Sequence, residues 1–282
     1  MANKKLKAPV NIPVEKIHPF EGHPYKVLDN EEMNTLIESI QQKGVISPIV
    51  VRPLENTEDE YEIISGHRRL RASVKAGLET VPALIYAVSR DEAAIMLVDS
   101  NLHREHILPS EKAFAYKLKL EAMKHQGITC GQVGHKSRDE ISDTDSGRQI
   151  QRYIRLTYLI PELLELVDEE KIALTPAVEL SYLTDEEQYA LLDAIELEER
   201  TPSLSQAVRF KKLSQTGELS YEDIETIMQE DKANQKPMFK VSMERLQKVA
   251  PKVKDKDFED FVLKACEHYY RFLLRQRDRD SR

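Results

Sequence analysis

The spacing of apolar residues changes once along this chain, near Ser89, and that change restricts the fold more than any other feature. Before it, short β-branched or aromatic runs alternate with helical spacings; after it, only helical spacings occur. Asp29 and Glu32 make a start resembling a capping box. Met33, Leu36, Ile37 and Ile40 then follow the i, i+3, i+4, i+7 pattern of a helix that ends at Gly44. Residues 48–53 and 61–64 predict strands on either side of a polar turn, 66–77 a short helix bounded by glycine, and 81–88 a further strand with Pro82 at an edge or a start. Ser89 then caps a helix over 91–98, and Ser110, after Pro109, caps one through about His125. The first part therefore mixes strands with helices, and the remainder reads as helical.

The helical part has internal punctuation. Ser137 and Ser146 open two short helices joined by a polar turn, followed by helix signals at 161–170 and 184–200, the rhythm of a helix-turn-helix DNA-binding domain. Thr201-Pro-Ser203 reads as a boundary, Ser220 to Asp223 as another cap, and 231–237 as a linker. Phe258, Phe261, Val262, Ala265, Tyr269 and Phe272 form one apolar stripe on a final helix, which suits packing or a dimer surface, and the tail from Arg271 to Arg282 could touch DNA nonspecifically.

At 282 residues, with 40% hydrophobic and 32% charged residues, the chain has material for about two domains at ~100–200 residues each and is not a disordered composition. No apolar run approaches the ~18 residues needed to span a bilayer, so the expectation is a cytoplasmic protein with no membrane partner. Cys130 and Cys266 cannot build a disulfide framework or a zinc site alone. The net charge of −8 argues at first against a nucleic-acid partner, but it is not spread evenly. Residues 161–200 hold two basic and thirteen acidic residues, a net of −11, so the rest of the chain is net basic. At a Debye length of ~8 Å that block does not prevent a basic face elsewhere from meeting DNA.

Chemistry concentrates in three places. Ser65-Gly66-His67-Arg68-Arg69-Leu70-Arg71-Ala72 lies between a strand and a helix: glycine allows close backbone approach, a helix start offers free N–H groups, and three arginines add charge, a set that suits a polyphosphate but equally a solvated helix face. Asp99-Ser100-Asn101-Leu102-His103-Arg104 places Asn101 and Arg104 at a helix end. In the helix from Ser146, Ile150, Ile154, Thr157 and Tyr153 would face inward. Arg148, Gln149, Gln151 and Arg152 would face outward near the N-terminus, where arginine can fork to guanine and glutamine pair with adenine. Arg155, Lys136 and Arg138 suit phosphates, although the same residues fit an exposed amphipathic helix. His103 and His106, an i, i+3 pair with no cysteine nearby, read as a surface feature rather than a metal site, and Ser73 has no base partner for nucleophilic chemistry.

The order Gly44-Val-Ile-Ser-Pro-Ile-Val-Val-Arg52, Gly66-His-Arg-Arg-Leu-Arg-Ala72 and Ser100-Asn-Leu-His-Arg-Glu-His-Ile-Leu-Pro-Ser-Glu111 resembles three ordered motifs of the ParB family of chromosome and plasmid partition proteins, over about residues 10–200. The resemblance implies an α+β N-terminal ParB/sulfiredoxin-like domain (1–108), an all-α helix-turn-helix domain (109–200) and a helical C-terminal dimerisation segment (201–282). It further implies a homodimer that binds CTP with Mg²⁺, closes as a clamp on double-stranded DNA carrying a palindromic site, and associates with the nucleoid or a plasmid. Carried over by position, Gly66, His67, Arg68, Arg69, Arg71 and Ala72 would cradle the phosphates or pin the loop, Arg104 would reach the triphosphate, Asn101 would help hold Mg²⁺, and Gly44, Val45 and Ser47 would lie near the base. The tail with Lys4, Lys5 and Lys7 is where a ParA-type ATPase would contact such a protein. His67 and Ser100 stand where the motifs have glutamate, which leaves Asp99 as the neighbouring carboxylate for a weak CTP hydrolase. His23, Pro24 and Lys26 fall where related proteins have Pro-Arg elements, with Lys26 in place of that arginine. Two rivals follow from the same architecture: a ParB-fold nuclease with the arginine loop on a scissile phosphate, and a helix-turn-helix transcriptional regulator.

Overall fold

Two neighbouring isoleucines, Ile63 and Ile64, are both fully buried although they point to opposite sides of their strand, so the sheet that carries them is covered on both faces. The computed structural model describes residues 8–55, 57–104, 106–125, 145–230, 243–250, 253 and 258–280. The sheet contains β1 (Val10–Pro13), β2 (Ile17–His18), β3 (Ile49–Pro53), β4 (Tyr61–Ser65) and β5 (Thr80–Ile85) in the order β1-β5-β3-β4-β2. β5 lies parallel to β3 and antiparallel to β1, and β4 lies antiparallel to β3 and parallel to β2. Ile12, Ile49, Val51, Ile63 and Val81 form the core on one face, with Leu70 of α2 (His67–Lys75) packed against it. On the other face Ile64 packs with Phe20, Leu97, Val98 and Ala115, residues that include the inner sides of α3 (Arg90–Asp99) and α4 (Pro109–His125). A buried ion pair crosses the sheet, Arg52 Nε donating to Glu62 Oε2 at 2.7 Å.

Local signals explain most of the boundaries. Ser89 and Glu92 form a reciprocal capping box at the start of α3, and Ser220 and Asp223 do the same further on. α1 (Glu31–Lys43) begins one residue later than its sequence suggests: Asn30, not Asp29, accepts the hydrogen bond from the Met33 N–H. Asp29 is taken instead by Arg71 and Lys75. Ser110 lies inside α4 rather than capping it, and its hydroxyl donates to Asp168 at 2.6 Å.

After α4 the described chain is helical: α5 (Gly147–Arg155), α6 (Pro161–Asp168), α7 (Leu174–Leu180), α8 (Asp185–Glu198), α9 (Leu204–Thr216) and α10 (Tyr221–Gln229). The helix expected from Ser137 lies outside the described residues, as do Lys4, Lys5, Lys7 and Cys130. One core joins Leu156, Leu163, Ile172, Leu180 and Leu191 to Phe210, Ile224 and Ile227. The boundary expected near residue 200 therefore falls within a continuous packed body that runs on to α10. Gln188, with no exposed surface, ties this body together: its side chain accepts from the Ile160 N–H and donates to the carbonyls of Tyr158 and Leu183. Residues 231–282 form a second unit, which contains α11 (Met243–Val249) and α12 (Phe258–Asp280). Phe261, Tyr269 and Phe272 are exposed on α12. Among the described residues no helix is long and apolar enough to cross a membrane.

Replacing Gln188 by leucine keeps volume but strands the buried groups it serves. At ~1–3 kcal/mol for each unsatisfied buried group, urea denaturation should show a loss of about 3 kcal/mol.

Candidate functional site

β4 ends at Ser65, and Gly66 turns the chain directly into α2. Gly66 has φ +103°, and a Cβ there would sit 2.9 Å from Ile49 Cγ2 and 3.0 Å from the Arg69 guanidinium. Glycine alone fits that position, and the unpaired N–H groups of the first turn of α2 favour an anion. Beside this turn lies a cavity of about 230 Å³ lined by His23, Tyr25, Lys26, Val27, Leu36, Ser65, Gly66, His67, Arg68, Arg69, Asn101 and Arg104.

The three arginines of the loop have separate tasks. Arg69 donates through one nitrogen to the carbonyls of Ser47 and Pro48 at 2.7 and 2.6 Å, which fixes the segment after α1 against α2. Arg68 lines the cavity and pairs with Glu32 at 3.0 Å. Arg71 points away, held by both oxygens of Asp29, and its guanidinium together with Lys75 keeps that carboxyl well below the usual carboxylate range. Ala72 is fully buried against Met33 and Ile40. Gly44, Val45 and Ser47 do not line the cavity; Gly44 ends α1 at φ +71°, and Ser47 contributes through its carbonyl grip on Arg69. Of the expected set, then, Gly66, His67, Arg68, Arg69, Asn101 and Arg104 meet at one cavity, whereas Arg71 and Ala72 hold α2 onto α1.

The opposite wall was not expected. The His23 and His67 rings lie 3.7 Å apart at 32°, and His23 meets Tyr25 edge-on at 5.6 Å. Burial drives His23 down to about 4 and His67 down to about 3, with Arg104 opposing the proton on each and His23 adding to the shift of His67, so both are neutral at neutral pH. Tyr25 is 4% exposed, lies 5.7 Å under the Arg104 guanidinium, and has its hydroxyl pKa raised by burial. Among the described residues the Tyr25 hydroxyl and His67 Nε2 are buried with no hydrogen-bond partner. Orphaned polar atoms at a cavity wall are groups that a ligand can satisfy. The sequence pointed to His67 in the arginine loop and to His23, Pro24 and Lys26, but not to Tyr25. Lys26 is not a free cation: its ammonium pairs with Asp168 of α6 at 3.2 Å, and its N–H donates to Glu111.

The residues do not suit a tightly held divalent ion. Among the described residues no carboxylate lines the cavity, and no group of three or more histidine, cysteine, aspartate or glutamate side chains could hold a metal. Asp99, the carboxylate expected to serve there, is bound by Lys119 of α4 and faces elsewhere. The Ser100 hydroxyl donates to the Leu97 carbonyl, and Asn101 spends its amide nitrogen on Leu97 and Ser100. A single amide oxygen is a poor substitute for the carboxylates magnesium takes from proteins.

In the second candidate region, Ser146 caps α5 by accepting from the Gln149 N–H. Ile150 is fully buried against Tyr116 and Met123, with Tyr153 and Ile154 packed beside them. Arg148 is exposed and in no ion pair among the described residues; Gln149 and Gln151 are half-buried. Arg152 reaches Thr175 at 2.5 Å and Gln149 at 3.3 Å. Arg155 departs from its expected role as a phosphate contact: it donates to Ser181 and lies 4.4 and 4.0 Å from the rings of Tyr158 and Tyr182. Lys136 and Arg138 lie outside the described residues.

Residues 2–102 match the family model described as the ParB N-terminal domain. The chromosome-partitioning protein Spo0J of Thermus thermophilus is 34% identical over 163 residues, covering 58% of this chain and 56% of that protein. The nucleoid occlusion protein of Listeria monocytogenes is 33% identical over 154 residues (55% and 54%), and the chromosome-partitioning protein ParB of Caulobacter vibrioides 33% over 134 (47% and 43%). The chain thus spans about half the length of the curated relatives it matches. Among solved structures, C-terminally truncated ParB of Caulobacter crescentus complexed to the centromeric parS site is 21% identical with a TM-score of 0.42, covering 78% of this chain and 98% of that one. The same protein complexed with CTP-γ-S is 25% identical with a TM-score of 0.33, covering 67% and 99%.

Because His23 and His67 are neutral when folded but titrate near 6.5 when unfolded, the unfolded chain binds protons that the fold refuses. Stability should fall as pH drops from about 6.5 towards 4, and urea midpoints measured across that window should fall less steeply in His67→Gln.

Proposed function

We propose that this chain, whose residues 2–102 match the ParB N-terminal domain, is a ParB-like partition protein that binds CTP in the His23–Arg104 cavity and reads a palindromic DNA site through α5. The observation that carries the reading is the convergence, around Gly66, of a free helix start, Arg68, Arg69, Asn101 and Arg104. Such a set has donors and positive charge for a polyphosphate, and the three ordered motifs that built it make CTP the nucleotide to test first. Arg104 is the one cationic group of the cavity that neither forms an ion pair among the described residues nor hydrogen-bonds to a backbone carbonyl, so it is the group to meet a phosphate. Magnesium could enter only as a passenger on the nucleotide's own phosphates, since the described lining of the cavity offers it no carboxylate. The same lack leaves hydrolysis without a metal ligand or base, so CTP serves as an effector whose binding closes a homodimer around DNA. It also removes the support for a nuclease.

For DNA, the N-terminal turn of α5 carries Arg148, Gln149, Gln151 and Arg152. Docking that turn into the major groove follows the geometry of helix-turn-helix readers, and two-fold symmetry of the dimer gives two half-sites. The exposed Phe261, Tyr269 and Phe272 of α12 suit the second copy of the chain. A ParA-type ATPase meeting the basic N-terminal tail, and association with a nucleoid or plasmid, complete the reading.

Calorimetry with CTP, ATP, GTP and UTP should show preference for CTP, and Arg104→Ala should cost about tenfold or more in affinity, as the loss of a charge-assisted hydrogen bond does. Equal affinity for all four nucleotides would overturn the CTP assignment. Fluorescence anisotropy on specific and scrambled duplexes should show Arg148→Ala losing about 1–3 kcal/mol of discrimination; an equal loss on both would make Arg148 a phosphate contact.

A further inference from the structure

The wall formed by His23, Tyr25 and His67 has a chemical character that the motifs do not supply. Tyr25 Oη is more than nine-tenths buried and unpartnered, and His67 Nε2 is likewise buried and unpartnered. Both belong to residues that line the cavity with Asn101 and Arg104. Stacking of His23 on His67 fixes the plane of the imidazole, and the Arg104 guanidinium over the Tyr25 ring stands beside it.

Around them the described carboxylates are already used. Glu32 is paired with Arg68, Glu111 accepts from the N–H groups of Lys26 and Leu108, and Asp99 is bound by Lys119. Asp168 is occupied by Lys26 and Ser110. What remains open to a ligand is a set of donors: the tyrosine hydroxyl, an imidazole nitrogen, the Arg104 guanidinium and the first N–H groups of α2. A divalent ion between such a cavity and a polyphosphate would face positive charge and N–H groups on the protein side, with no anionic oxygen to replace its water.

We propose that this cavity takes its nucleoside triphosphate without needing a divalent metal ion, with the Tyr25 hydroxyl and His67 Nε2–H donating to the phosphate oxygens that a metal would otherwise hold. The inference rests on the nucleotide reading above and adds to it one ligand-contacting residue, Tyr25, a defined donor atom on His67, and an ionic requirement. Burial keeps both imidazoles uncharged at neutral pH, so His67 acts as a hydrogen-bond donor of fixed orientation rather than as a cation. The free protein carries the cost of two unsatisfied buried groups, which the ligand relieves.

The test is equilibrium binding of radiolabelled CTP to the full chain in excess EDTA and in MgCl₂. Comparable affinity in both is expected. Tyr25→Phe, which removes one oxygen and leaves the ring, should weaken CTP about tenfold in both buffers while raising the melting temperature of the free protein, since it deletes an unsatisfied hydroxyl. A purely structural tyrosine would not move those two readouts in opposite directions. His67→Glu should make binding sensitive to EDTA by supplying the carboxylate the cavity lacks. Wild-type binding in MgCl₂ that disappears in EDTA would overturn the metal-free site and leave the nucleotide reading intact. No binding in either buffer would overturn both.

Discussion

The contact of Gly66 with Ile49 sets the geometry of the N-terminal domain. Because no Cβ intervenes, β4 can hand the chain to α2 against the side chain of the neighbouring strand, and the start of α2 sits at the sheet's end rather than a turn away from it. Arg69 then lies over that glycine and grips two carbonyls of the segment leading into β3. Strand, turn and helix are thereby locked into one unit, with Arg71 on Asp29 and Ala72 in the α1–α2 core completing the lock. A helix start held this firmly presents its N–H groups in a fixed direction, which lowers the cost of ordering a bound anion.

Part of the acidic block that dominates the net charge is used inside the fold. Asp168 joins Lys26 and Ser110, Glu179 meets Lys211, and Glu187 both caps α8 and accepts from Ser214. These contacts hold α6, α7 and α8 to their neighbours, so part of the charge of residues 161–200 serves internal fastening while the rest faces solvent. Arg104 in the cavity and Arg148 on the N-terminal turn of α5 are in no ion pair among the described residues.

The periodicity made three of the five strands, most of the helices and the glycine turn legible, because each depends on spacing or on one residue with an unusual backbone. It could not distinguish among Arg68, Arg69 and Arg71, which look equivalent in the motif but are separated by helical rotation and by their chance partners. Arg155 was misjudged for the same reason: whether an arginine is free depends on Ser181 and Tyr182, some 26 residues away in sequence. Asp99 likewise depends on Lys119. The Tyr25 wall was missed because a buried hydroxyl without a partner has no signature in sequence; only the packed structure shows that it is buried and alone.

The stack of Tyr158, Arg155, Tyr182 and Lys211, each cation within 4.4 Å of a ring centroid, clamps the C-terminal end of α5 to the helices behind it. α5 is therefore held at both ends: Gly147 and Ile150 are buried near its start and Arg155 is clamped at its finish, while Arg148 stays exposed. A helix held this way cannot swivel, so under the DNA reading proposed above a groove of the wrong width would have to be met by deformation of the duplex, and base sequences that bend easily would gain an advantage even at steps no side chain touches.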